Sequence, residues 1–142
     1  MRVCSHRGIV LAVLTRNEHC PPHVHAGAAD WNARFEFSFW HNGVRLWDVV
    51  PAQNAPSSAL LEELRQVLKQ ATHLRRARTL WWNSQQTLCL DNQQWDDSAE
   101  AVVSPRARRR GVSDIMSGHF DPFRNSTVLR LSGHSQTLEI QL

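Results

Sequence analysis

The chain lacks tyrosine altogether, has a single lysine (Lys69), and has only three cysteines, Cys4, Cys20 and Cys89, with no C-x-x-C pair among them. An odd, widely spaced cysteine set argues against a disulfide framework and fits a reducing compartment, so a cytoplasmic location is expected. Long hydrophobic runs are missing too. The early one, Ile9 to Leu14, has six residues, which is shorter than a signal-peptide core and far short of a bilayer span, so no membrane partner is expected. The sequence contains no glycine-rich phosphate loop, no G-x-S-x-G elbow and no H-E-x-x-H helix, which removes the usual signatures of nucleotide binding, serine hydrolysis and metalloproteolysis. With 142 residues it is too short for a barrel enzyme or a two-domain dinucleotide enzyme, while 42% hydrophobic residues are enough to bury a core.

What charge there is comes almost entirely from arginine. Sixteen cationic residues face thirteen acidic ones, a formal +3, and the surplus lies in residues 1–95, with ten cations against seven acids; residues 96–142 carry six of each. A surplus of three does not demand nucleic acid, because non-specific binding needs several clustered phosphate contacts. Arg75, Arg76 and Arg78 form one such cluster and are the candidate phosphate-binding residues; Arg106, Arg108, Arg109 and Arg110 form another. Of eleven aromatic residues six are tryptophan, at 31, 40, 47, 81, 82 and 95. Such indoles either fill a small core or form an exposed stacking platform for bases, with arginine between the rings.

The hydrophobic pattern predicts an α+β fold. Ile9 to Leu14 reads as a buried strand, and the alternating runs Arg34 to Trp40 and Val44 to Val50, joined by Asn42-Gly43, read as a hairpin, giving an antiparallel sheet of about three strands. Beyond Pro51 and Pro56, Ser57 or Ser58 can cap an amphipathic helix over 58–73, with Leu60, Leu61, Leu64, Val67, Leu68 and Ala71 on one face. That helix should pack on the sheet, with the Arg75 cluster just past its end. Thr79 to Trp82 and Thr87 to Leu90 read as further strand. Residues 96–113, charged and proline-marked, read as a basic linker, and Thr127 to Leu131 with Thr137 to Leu142 as a C-terminal β-hairpin. The expected organisation is thus an α+β domain over 1–95, a linker over 96–113 and a hairpin extension over 114–142.

The sharpest local signal is Glu18-His19-Cys20-Pro21-Pro22-His23-Val24-His25, three imidazoles and a thiol within seven residues. In an extended segment His23 and His25 share a side and Val24 faces the other way, while the prolines stiffen the entry. His19, before the turn, could fold back over the pair. Three readings follow. The histidines could hold zinc or another divalent metal through His19, His23 and His25, with Glu18, Asp30 or Glu36 as outer orienters. The same three could work without metal as catalytic acid and base, since imidazole titrates near neutrality. Or they could be structural, satisfied by backbone carbonyls at a strand entry. His119 and Asp121, two apart, are a distant pair that could return to the cluster or simply shape a turn.

Asn17 to His25, followed by strands, a proline-marked turn, an amphipathic helix and tryptophans, resembles the small bacterial family called domain of unknown function 4160, whose hallmark is H-x-P-P-H-x-H; the resemblance covers about residues 5–82. It implies that His19, Pro21, Pro22, His23 and His25 are the motif positions. It also implies a component of a toxin-antitoxin-like or regulatory module with a small partner protein, acting on or binding nucleic acid. The alternative is a non-enzymatic protein-binding or metal-binding module whose histidines are structural. About sixty residues lie beyond the family's usual extent.

Overall fold

The structure, a computed structural model, describes residues 1–106 and 109–142; Arg108 of the basic run lies outside the described residues. The chain begins with a hairpin that composition does not announce. β1 (Arg2–His6) turns through Arg7 and Gly8, both at positive φ, into β2 (Ile9–Ala12), and two left-handed residues are what a tight right-twisted hairpin requires. β3 (His23–Ala28), β4 (Trp31–Glu36) and β5 (Arg45–Val50) complete an antiparallel meander in the order β1-β2-β3-β4-β5. The sheet therefore has five strands rather than three. The expected hairpin around Asn42-Gly43 is present as β4 and β5, but its strands end earlier and the connection is long, because Phe37, Phe39 and Val44 leave the ladder to enter the core.

α1 (Ser58–Lys69) is capped at Ser57, whose hydroxyl accepts from the Leu60 amide at 3.2 Å. It stops at Gln70, which is extended (ψ 136°), and α2 (Ala71–Gln85) then starts in a new direction. The helix expected over 58–73 is two helices, and the strand expected over Thr79 to Trp82 lies inside the second. The physical reason is visible in the burial. Leu74, Ala77, Arg78 and Trp81 recur at helical spacing on the buried side of α2, so the short β-branched and aromatic run serves a helix face. Thr87 to Leu90 is irregular rather than strand.

The second half is more ordered than a linker and a hairpin. β6 (Gln94–Asp96), β7 (Ala101–Val103), β8 (Val112–Asp121), β9 (Ser126–Leu131) and β10 (Leu138–Gln141) form a second antiparallel sheet in the order β10-β9-β8-β6-β7. The C-terminal hairpin expected from sequence is β9–β10. Residues 96–113 carry β7 and the start of β8, so the expected linker is corrected: a short edge strand needs few apolar residues, and its charged neighbours hide it. One core runs through both sheets, with Phe39 of the β4–β5 connection 5.3 Å from Phe120 of β8 and α2 touching β1 and β8. No helix among the described residues is long and apolar enough to cross a membrane.

Where the halves meet, Gly118 of β8 leaves no room for a side chain. A Cβ there would fall 2.7 Å from Leu88 Cδ1 and 2.8 Å from Leu129 Cδ2. Gly118→Ala is expected to destabilise the protein by about 1–3 kcal/mol through overpacking, measured as a lowered urea midpoint with an unchanged slope. An unaltered midpoint would show that the second sheet is not seated on the segment after α2.

Candidate metal centre

β3 begins at His23 and pairs with β4 so that His25 stands opposite Arg34, and β4 pairs with β5 so that Arg34 stands opposite Asp48. His25, Arg34 and Asp48 thus make a polar row across three strands, while Val24 and Phe35, pointing the other way, are fully buried. The alternation expected of His23-Val24-His25 is present, with the two imidazole centroids 4.9 Å apart. Between Arg34 and Phe35 the register slips: Arg34 faces Asp48 and Phe35 faces Leu46, leaving Trp47 as the extra residue of a bulge. A bulge re-aims the side chain it carries. Here it lays the indole 3.9 Å beneath the Arg34 guanidinium and 5.3 Å from the His23 ring.

Glu18 completes the cluster. The chain before β3 reverses at Asn17 (φ 57°) and brings the Glu18 carboxylate over the histidines, where its side chain is only 5% exposed. Oε2 lies 2.6 Å from His23 Nε2, Oε1 lies 3.0 Å from His25 Nε2, and the two Nε2 atoms are 3.2 Å apart. His23 is 1% exposed. Its other nitrogen, Nδ1, is 2.8 Å from the Pro21 carbonyl, and since a carbonyl only accepts, Nδ1 carries the proton. His25 Nδ1 is 3.3 Å from the side-chain amide of Asn32, which can serve as donor or, turned over, as acceptor.

These contacts fix the electrostatics. With its proton on Nδ1, neutral His23 presents a bare lone pair at Nε2 to an acceptor-only carboxylate oxygen. Two lone pairs at that separation repel unless positive charge, as a shared proton or a bound cation, lies between them. Burial pushes His23 below its ordinary value, with His25 and Arg34 acting in the same direction, and this prevails over the Pro21 carbonyl and Glu18, which favour the charged ring. Burial thus works against supplying that charge by an imidazolium. Glu18, His23 and His25 each offer one ligand atom, all within 4.8 Å of one another, and could hold a metal ion. The Pro21 carbonyl on Nδ1 is the kind of outer hydrogen bond that fixes a ligating imidazole.

His19 is not one of these residues. It is exposed, its Nδ1 lies against the carbonyl of Cys20, and its ring meets the edge of Trp47 at 5.8 Å. Glu18, expected only as an outer orienter, takes its place. Asp30 is exposed and Glu36 pairs with Arg45 instead. The expected phosphate clamp does not assemble either, because each guanidinium is engaged elsewhere. Arg75 donates to the carbonyls of Pro122 and Phe123, and Arg76 to that of Arg2. Arg78 is 1% exposed and donates to Ser38 O, His41 O and Asn42 Oδ1, with burial alone lowering its pKa to about 10. None of the six tryptophans is fully exposed, so they serve the core and the histidine cluster rather than an open platform. Asp121 accepts from the amides of Phe123 and Arg124, and thus shapes a turn.

The cysteines also depart from expectation. Cys20 and Cys89, 69 residues apart in sequence, are joined in a disulfide with Cα atoms 5.6 Å apart, while Cys4 is free and buried. The expectation of unpaired thiols is corrected, and the cytoplasmic placement loses that support. The cause is topological: α2 returns the chain to the mouth of the Glu18 loop. No protein-family model matches the chain, and no curated protein and no solved structure matches it either.

Burial separates the histidines by experiment. His23→Ala removes a packed ring lying against Trp47 and Trp81 and leaves the Pro21 carbonyl without its donor, so a loss of about 2–4 kcal/mol is expected. His19→Ala should stay within about 0.5 kcal/mol of the parent. Chemical denaturation of both variants reads the difference; equal effects would contradict the assignment of His23 to the buried cluster.

Proposed function

We propose that the protein is a metal-binding module that holds one divalent transition-metal ion through the Glu18 carboxylate and the Nε2 atoms of His23 and His25. The observation that carries this reading is the convergence of three potential ligand atoms in a nearly buried site, with one imidazole oriented by the bond from its Nδ1 to the Pro21 carbonyl. Two imidazoles and a carboxylate suit zinc, and also iron, at ordinary ligand distances. Three protein ligands leave a position for water or for a group from another molecule, and the side of the cluster nearest solvent is His25, 18% exposed. When bound, the ion supplies Lewis acidity and a lowered pKa for such a water.

The resemblance to the domain of unknown function 4160 family makes His23 and His25 motif positions, together with His19, which lies outside the cluster. In the toxin-antitoxin-like reading, with nucleic acid or a small partner protein as target, phosphate contacts would come from guanidiniums other than that of Arg78, whose bonds are all internal. The metal reading needs no such contacts.

Untagged protein equilibrated with zinc and desalted should retain close to one equivalent by elemental analysis. Glu18→Gln or His25→Ala should weaken the affinity by about a hundredfold or more, since each removes a ligand rather than an outer contact, for which losses are about 10–100-fold. His19→Ala should leave it unchanged. Retention below about a tenth of an equivalent would sink the proposal, because a formed site of this type binds far more tightly than desalting can strip.

A further inference from the structure

The loop that delivers Glu18 has few attachments of its own. Residues 14–17, 19 and 20 are exposed, and among the described residues no backbone hydrogen bond ties residues 14–20 to the rest of the molecule; the flanking ones are Val13 to Met1 and Phe37 to Pro22. The loop is held by the Glu18 carboxylate on the two histidines and by the disulfide from Cys20, two residues further on. The far end of that disulfide is firmly seated. The Cys89 amide donates to Thr87 Oγ1, the Thr87 carbonyl accepts from the indole of buried Trp81, and Trp81 packs 5.5 Å from the His23 ring. A closed circuit therefore runs from the ligand His23 through Trp81, Thr87 and Cys89 to Cys20, within two residues of the ligand Glu18.

We propose that the Cys20–Cys89 disulfide is a redox lock on the metal site, holding Glu18 in place when oxidised and releasing it, with loss of metal affinity, when reduced. The inference rests on the metal-binding reading of Glu18, His23 and His25. Cys20 is exposed and Cys89 half-buried, so a reductant reaches the bond from the Cys20 side. The chemistry is a two-electron reduction. A phosphine attacks one sulfur, the S–S bond breaks, water supplies the oxygen of the phosphine oxide and the two protons, and two thiols result. His23 and His25, built into β3, stay where they are; Glu18 loses its preorganisation, and an ordering cost that the disulfide had already met falls on metal binding.

Zinc affinity, measured by competition with a chromophoric chelator, should fall about tenfold or more on treatment with tris(carboxyethyl)phosphine and by a similar factor in the Cys20→Ser/Cys89→Ser double variant. In both, the tryptophan near-ultraviolet dichroism should be retained as a check on the fold. Reciprocity supplies a readout on the unmutated protein: at equilibrium with a glutathione redox buffer, zinc-loaded protein should keep a larger disulfide fraction than metal-free protein. An oxidised protein that binds no zinc would overturn the metal-binding reading itself. Zinc bound equally in both redox states, with an equal disulfide fraction at redox equilibrium, would overturn the lock alone. A higher affinity on reduction would also overturn it, by showing that a freed Cys20 thiolate joins the ion.

Discussion

The proton on His23 Nδ1 is committed to the Pro21 carbonyl, and most of what is distinctive in the first half of the molecule depends on that hydrogen bond. It turns Nε2 toward Glu18 and His25. It also keeps the ring buried against Trp47 and Trp81, two indoles delivered by different means, one by the bulge in β5 and one by the helical repeat of α2. Both nitrogens of the buried imidazole have polar partners, Pro21 O on one side and Glu18 and His25 on the other. The ring lies beside an almost fully buried carboxylate, and the three side chains could hold a metal ion.

The arginines show a second case, in which guanidiniums tie separate segments of the fold together. Arg78 reaches from α2 into the β4–β5 connection and gathers two carbonyls and an asparagine side chain, organising a segment that has left the sheet ladder. Arg75 and Arg76 do the same at longer range, tying α2 to the β8–β9 turn and to β1. Arg34 is paired with Asp48, whose carboxyl it holds below the ordinary range, and is stacked on Trp47.

Much of this was legible before the fold was known, and the parts that were not have physical causes. Period-two alternation placed His23 and His25 on one side of a strand with Val24 opposite, and the alternating runs Arg34 to Trp40 and Val44 to Val50 overlap β4 and β5. Thr79 to Trp82 misled because a β-branched residue, a leucine and two tryptophans suit a strand or a buried helix face equally, and only their continuation of the Leu74, Ala77 repeat decides between them. The break at Gln70 has no glycine or proline to announce it. Glu18 was visible in the motif, but its promotion over His19 depends on a left-handed Asn17, a single dihedral that composition does not encode. The disulfide joins residues 69 apart, and only the path of α2 brings them together. Residues 96–113 looked like a linker because β7 is three residues long and flanked by charge.

The central claim, that Glu18, His23 and His25 form a cation site, is tested most directly by crystals grown with a zinc salt and measured for anomalous scattering across the zinc edge. A single strong peak within roughly 2.0–2.2 Å of a Glu18 carboxylate oxygen and of Nε2 of both His23 and His25 is the expected result. Ordered density for the three side chains with no peak between them, or a peak bound elsewhere on the chain, would contradict it.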